Sequence, residues 1–497
     1  MANDLDAVVI GAGVGGLAVA IRLSCMGFAV RVFEKNSYPG GKLSYFEQDG
    51  YRFDAGPSLF TQPGNIEDLF ALTSEPIEAY FSYRRSPVGC RYFFSNGKQV
   101  TAWADKKKFA ADMQEQIGEP SENVLAYLQR SSDLYRHVGS LFLQHSLHRP
   151  SDFSWKEIRD ALGTVKLPYL FNSLNHYNKT QFETSEASQL FNRYATYNGS
   201  NPYKAPAMLS LIPSLEMNEG TFFPEGGMIS ITNALHKLAE KMGVIFHFDT
   251  EVTSIAHENG VISGVNAGGV FYPTPVVVSN QDVYFTYKYL LQNEPRATKV
   301  LRQERSSSAL IFYWGIGKAF PQLDLHNIFF SSNYKAEFEG IFNSNSLYDD
   351  PTVYINITSK MEANMAPEGK ENWFVMVNVP ANRDQNWDEL TNVTRKRVIE
   401  KLSRILCCDV SALIETETTL DPVTIESKTM SYMGSLYGTS SNSKMAAFLR
   451  HPNFSKDYRG LYFAGGSVHP GGGIPLCLRS AAITADIINK DVAAGKY

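Results

Sequence analysis

The sequence predicts an α/β chain whose amino-terminal domain is a Rossmann-type dinucleotide-binding fold, and three observations carry that reading. A short apolar run, Asp6 to Ile10, enters the turn Gly11-Ala12-Gly13-Val14-Gly15-Gly16. Leu17, Ala20, Ile21 and Leu23 then recur at helical spacing. A second apolar run, Ala29 to Phe33, ends on Glu34, 18 residues beyond Gly16. Strand, glycine turn, helix, strand and acid in this register make up the dinucleotide fingerprint, in which the acid falls about 20 residues after the turn.

Each part has a physical task. Gly11 permits the turn, Gly13 lets backbone approach a diphosphate, and Gly16 packs helix against strand, while the helix N-terminus offers unpaired N–H groups to the phosphates. Ala12, Val14 and Gly15 complete that candidate loop. Glu34 is expected to accept hydrogen bonds from ribose hydroxyls, with Phe33, Lys35 and Asn36 beside it as further candidate cofactor contacts.

The next segment narrows the cofactor. Glu34 is followed by Pro39-Gly40-Gly41-Lys42 and then by Asp54-Ala55-Gly56-Pro57-Ser58. Here the chain resembles the flavin-dependent amine-oxidase-like superfamily, whose members extend the fingerprint with a Gly-Gly-Lys/Arg loop and an Asp-x-Gly-Pro turn. The resemblance implies FAD, with Gly40, Gly41 and Lys42 along its phosphates and Pro57 and Ser58 close to the flavin ring.

A chain of 497 residues, 43% hydrophobic and 20% charged, has room for two to four domains and a core that buries a cofactor. The net charge of −5 excludes the basic footprint of a nucleic-acid partner. Aromatic residues reach 12%, which fits an ordinary core or the lining of an extended apolar ligand equally well. Five cysteines, two of them adjacent at Cys407 and Cys408, do not form the even framework of a secreted domain. Met1 to Asp6 lacks the basic start of an export signal, and no uncharged apolar window reaches the ~18 residues of a membrane span. A cytoplasmic protein is expected, with peripheral membrane contact left open. No metal-ligand cluster or Ser/His/Asp set emerges.

Taken in order, Cys90 to Gly97 reads as a hairpin closed by Asn96-Gly97. A helical period holds from Lys106 to about Leu147. From Leu141 to Phe171 the chain is apolar with basic punctuation at Arg149, Lys156, Arg159 and Lys166. Two readings stay open there: an interfacial helix pair lying on a bilayer, or helices packed inside a substrate domain. Then Arg193-Tyr-Ala-Thr-Tyr197, Gly199-Ser200, Pro202 and Ala205-Pro206-Ala207 resemble the carotenoid desaturases. Among these they are most similar to the subgroup acting at the 3,4 position of 1-hydroxylated carotenoids.

Phe222 to Met228 precedes a helix ending near Gly243, a strand Val244 to Phe248, and Glu251-Val252. The resemblance makes this the return to the cofactor domain, with the Val252 backbone on the adenine and Ser279 and Asn280 at the end of a buried strand. Strands at Ser308–Ile316, 352–357 and 373–379 and a helix from Trp387 to Leu406 read as the sheet of a substrate domain; acids there such as Asp324 read as solvated. At the carboxyl end Phe463-Ala464-Gly465-Gly466 leads to Gly473-Ile474-Pro475 and a last helix, with Pro475 where a first turn tolerates it. The resemblance sets Gly465 and Gly466 at the diphosphate and ribityl part, and Gly473, Ile474 and Pro475 by the flavin ring.

The organisation expected is therefore a discontinuous one. Residues 1–75, 222–300 and 436–497 form the FAD-binding domain, and 76–221 and 301–435 an α+β substrate domain, with the helical part 106–221 facing a membrane in one of the two readings. The reaction implied is introduction of a C–C double bond into an acyclic carotenoid end by hydride transfer to flavin N5, then proton loss. Arg193 is the candidate for orienting a substrate hydroxyl or pairing with an acid, and His469 is read as structural before catalytic. Alternatives are a phytoene-type desaturase, a redox-neutral carotenoid isomerase, a retinoid saturase, an amine oxidase, and a non-enzymatic prenyl-binding module. Glu34, Gly41-Lys42 and Gly466 speak against the last.

Overall fold

The computed structural model describes residues 5–443 and 450–497, so the reading of the first four residues lies outside it. Strand β1 (Asp6–Ile10) pairs in parallel with β2 (Ala29–Phe33) on one side and with Val276–Ser279 on the other; Val9 lies opposite Val32 and Val278. Leu461–Phe463 and Ile245–His247 complete a five-stranded, all-parallel sheet with β1 at its centre. Covered on both faces, these strands are nearly continuous runs of Val and Ile, as parallel sheets require. Helix α1 (Val14–Cys25) packs against the carboxyl-terminal helix Ile474–Ala493 and against Ile229–Lys241. Gly16 sets the α1 contact with its own turn, because a Cβ there would lie 2.0 Å from the Gly11 carbonyl oxygen.

A second sheet has seven strands, in the order 414–420, 308–316, 371–379, 353–357, 326–329, 88–93 and 99–103. All its pairings are antiparallel except that between His326–Phe329 and Val88–Phe93. Ser308–Ile316 is buried at every position and lies between two neighbours. The parallel sheet draws its strands from residues 6–279 and 461–463, the larger sheet from 88–103 and 308–420, so the chain passes repeatedly between the two.

The helical period expected from Lys106 is carried by two helices, Lys106–Ile117 and Ser121–Gln144. Gly118 ends the first with φ +80, and Pro120, which has no N–H, starts the second. Asp324 is not a solvated acid: its carboxylate lies 3.6 Å from Arg91 and accepts the Leu325 N–H. Arg149 pairs with Asp152 and with Asp491 of the last helix.

Candidate active site

The carboxyl ends of β1, β2 and Val276–Ser279 open onto a cavity of about 1030 Å3 that runs on to the larger sheet. Ligands of open parallel sheets bind at this position, where the strand order reverses. At the near end α1 begins at Gly13 with no capping side chain and no acid in its first turn, leaving its N–H groups for an incoming anion. The cradle is shaped by glycines: a Cβ on Gly13 would come within 2.7 Å of Asn280 Oδ1, and one on Gly15 within 3.1 Å of Gly465 Cα. Asn280 is the wedge between them, its amide donating to the Ala464 carbonyl at 2.8 Å.

Glu34, buried at the end of β2, accepts the Ala12 N–H at 2.8 Å on one oxygen and the Asn36 N–H at 3.0 Å on the other. The acid is thereby oriented toward the glycine turn, with acceptor capacity to spare. Lys42 is partly buried; burial lowers its pKa, and its ammonium donates to the Leu436 carbonyl at 3.0 Å. Arg450 is more exacting. It lines the cavity, burial pushes its guanidinium down to about 10, and its polar contacts are backbone carbonyls, Tyr437 at 2.7 Å and Gly466 at 3.5 Å. Its Nη2 has no partner among the described residues. A buried cation without a carboxylate requires an anion. With the glycine cradle and the open helix terminus, it makes the cavity fit a dinucleotide diphosphate and an electron-poor ring.

The far end is apolar, with Tyr135, Phe142 and Leu143 of the helix Ser121–Gln144 facing Ile311, Tyr313 and Phe374 of the larger sheet. Within it sits one polar node. Arg193 donates to Glu216 at 3.0 and 3.1 Å and to the Tyr92 hydroxyl at 2.6 Å, while Tyr197 hydrogen-bonds Glu216 as well. Burial alone would lower the Arg193 pKa; the Glu216 carboxylate outweighs it and holds the guanidinium well above its ordinary value. His326, also on the cavity wall, takes the Tyr354 hydroxyl at 2.7 Å, and Tyr354 in turn meets Ser58 at 2.9 Å.

Most of the residues singled out from the sequence meet in this single cavity: Gly11, Gly13, Val14, Gly15, Phe33 to Asn36, Gly40 to Lys42, Pro57, Ser58, Arg193, Val252, Asn280, Gly466, and Gly473 to Pro475. Ala12, Gly16, Ser279 and Gly465 do not line it. Ser279 is buried with its hydroxyl on Thr286, and Gly16 faces the turn. His469 stays off the wall as well; its Nε2 meets the His145 carbonyl at 3.0 Å, and burial pushes it down to about 4. Sequence reasoning missed Glu216, His326, Tyr354 and Arg450. The one signal for Glu216 was an acid inside the apolar run Leu211–Met217, in a stretch wound as a π-helical turn, a form frequent at functional sites.

A parallel sheet ending in a glycine cradle, a buried acid at the end of β2 and a cavity with an apolar far end fit a nucleotide-dependent oxidoreductase. The chain belongs to the flavin containing amine oxidoreductase family, whose model matches residues 14–489; flavin is its cofactor. A 1-hydroxycarotenoid 3,4-desaturase from a Flavobacterium species is 51% identical over 484 residues, which are 97% of this chain and 98% of that one. A 4,4'-diapolycopene oxygenase from a Methylomonas species is 31% identical over 494 residues, 98% of each. Among solved structures, cyclohexylamine oxidase from Brevibacterium oxydans shares the fold, with a TM-score of 0.63 at 14% identity over 99% of this chain and all of that one.

Proposed function

We propose that this protein is an FAD-dependent carotenoid desaturase that introduces a double bond at the 3,4 position of a 1-hydroxylated, acyclic carotenoid end. The observation that carries the reading is a continuous cavity whose dinucleotide half opens into an aromatic tunnel with one polar node. The 51% identity to the Flavobacterium desaturase supplies the reaction. Residues 1–75, 222–300 and 436–497 hold the cofactor, and 76–221 and 301–435 hold the substrate; the division follows the separate origins of the two sheets.

FAD, when bound, supplies the acceptor for the hydride that leaves carbon. The chain's own work is binding and alignment. The α1 N-terminus, the glycines and Arg450 would hold the diphosphate, Glu34 would take the ribose, and Pro57, Ser58 and Gly473 to Pro475 would border the ring. Tyr135, Phe142, Tyr313 and Phe374 hold the polyene in line and keep water out. Arg193 is held by Glu216 as a positioning residue of the hydroxylated end.

Incubation with a 1-hydroxylated carotenoid is expected to give a product lighter by two hydrogens, read by mass spectrometry. The 31% identity to a carotenoid oxygenase favours a second reading, terminal oxygenation, and a product heavier by oxygen would select it. Unchanged mass with altered geometry would mean isomerisation, and a gain of two hydrogens saturation.

Substrate delivery falls to the helices Trp155–Thr164 and Leu167–Phe171. Trp155, Leu162, Leu167 and Phe171 are 86, 74, 70 and 62% exposed, and Lys156, Arg159 and Lys166 stand exposed among them. Apolar side chains rimmed by cations suit an anionic bilayer surface. The first of these helices packs on Ser121–Gln144, whose other residues line the tunnel. No helix among the described residues is long and apolar enough to cross a membrane. Burying each such side chain is worth about 1.5–3 kcal/mol. Replacing all four by serine is thus expected to weaken co-sedimentation with phosphatidylglycerol vesicles by on the order of 100-fold or more, with flavin content unchanged. Undiminished sedimentation would remove the surface from the account.

A further inference from the structure

Within the tunnel, one imidazole is buried with a ring nitrogen that has no partner among the described residues. His326 is enclosed and lines the cavity, and its Nε2 has no hydrogen-bond partner among the described residues. The proton's place on the ring follows from its neighbours. The amide nitrogen of Asn356 donates to the Leu325 carbonyl at 3.1 Å, which fixes it as the NH2 end, and this same nitrogen lies 3.2 Å from His326 Nδ1. Nδ1 must therefore accept. The Tyr354 hydroxyl lies 2.7 Å from the same nitrogen and 2.9 Å from the Ser58 hydroxyl. With Nδ1 an acceptor, a neutral imidazole carries its hydrogen on Nε2. Burial and the nearby Arg193 guanidinium push the ring down to about 3, so it stays neutral.

We infer that the His326 Nε2–H binds the hydroxyl oxygen of the substrate and is the residue by which the tunnel tells a hydroxylated carotenoid end from a plain hydrocarbon one. The inference rests on the desaturase reading above and deepens it. A hydrocarbon end laid across the donor excludes water from it and gives nothing back, whereas a hydroxyl oxygen satisfies it. Sites built to hydrogen-bond a substrate hydroxyl reject analogues that lack it for this reason. Placement agrees: the Ser58–Tyr354–His326 chain leads from the turn assigned to the ring edge to the polar node, and the hydroxyl-bearing carbon is two bonds from the one that reacts.

The test compares kcat/KM for a 1-hydroxylated carotenoid and for the same carotenoid without the hydroxyl, in wild type, His326→Phe and His326→Gln. Phenylalanine keeps the ring beside Tyr354 and removes the donor; glutamine places an amide N–H near the Nε2 position. Phenylalanine is expected to lower the preference for the hydroxylated substrate by ~10- to 100-fold, by slowing the hydroxylated substrate and easing the plain one, with flavin content kept. Glutamine is expected to restore much of the preference, which a merely structural histidine would not do. Equal preference in wild type and the phenylalanine variant overturns the inference, as does a wild type that desaturates both carotenoids equally well; the desaturase reading survives either result. Should the phenylalanine variant not fold, a glutamine variant with no preference overturns it and one with preference supports it. A wild type that desaturates neither carotenoid overturns the reading and the inference with it.

Discussion

Gly16→Ala is expected to yield a colourless protein destabilised by more than about 4 kcal/mol. The methyl carbon would lie 2.0 Å from the Gly11 carbonyl oxygen and 3.2 Å from Asn280 Oδ1. The first of these is backbone in the turn itself, so nothing flexible moves aside. Relief requires lifting α1 from β1, which dismantles the packing of Leu17, Val19, Ala20 and Ile21 and withdraws the helix N-terminus from the cavity. Gly163→Ala is the control: an added Cβ there would have no atom within 4 Å, and the residue sits inside the helix Trp155–Thr164. There alanine is expected to stabilise by about 0.5–1 kcal/mol. Flavin-to-protein ratios from visible absorbance and urea midpoints read both variants. A yellow Gly16→Ala protein of ordinary stability would contradict the turn geometry.

Glu216→Leu is expected to cost about 3–5 kcal/mol, because it leaves a largely buried guanidinium without its counter-charge. Arg193 and Glu216 have side chains only 10 and 2% exposed. The paired change Arg193→Met with Glu216→Leu removes both charges and fills the space, and its stability is expected to recover to within about 1–2 kcal/mol of wild type. A double-mutant cycle from chemical denaturation gives the coupling directly. Additive losses would mean that the two residues are independent and that the node is not held by this pair. The doubly changed protein separates scaffold from chemistry: stable, flavin-bound, yet slow on the hydroxylated substrate.

The cofactor half was legible in the sequence because its parts are local. Gly11 to Gly16, Glu34, Gly40 to Lys42 and the Gly473-Ile474-Pro475 loop each announce a backbone conformation or a charge that a short segment cannot otherwise justify. The seven-stranded sheet was legible only in part, since His326–Phe329 and Ile414–Leu420 were not read as strands, and its order was hidden because a parallel pairing between His326–Phe329 and Val88–Phe93 joins residues more than two hundred positions apart. The polar node was the least legible. Glu216 and His326 look in sequence like any acid or imidazole in an apolar stretch; only the fold shows that one faces Arg193 and that the other has a hydrogen to give. Asp324 failed in the opposite sense, because its partner Arg91 comes from that same distant strand.

The strand Leu461–Phe463 and the glycines that follow it join a sheet whose central member is the sixth to tenth residue. A ribosome must therefore have passed residue 463 before this nucleotide cradle has its last wall. Nascent chains halted short of residue 461 are accordingly expected to be colourless, however well their first strands have assembled.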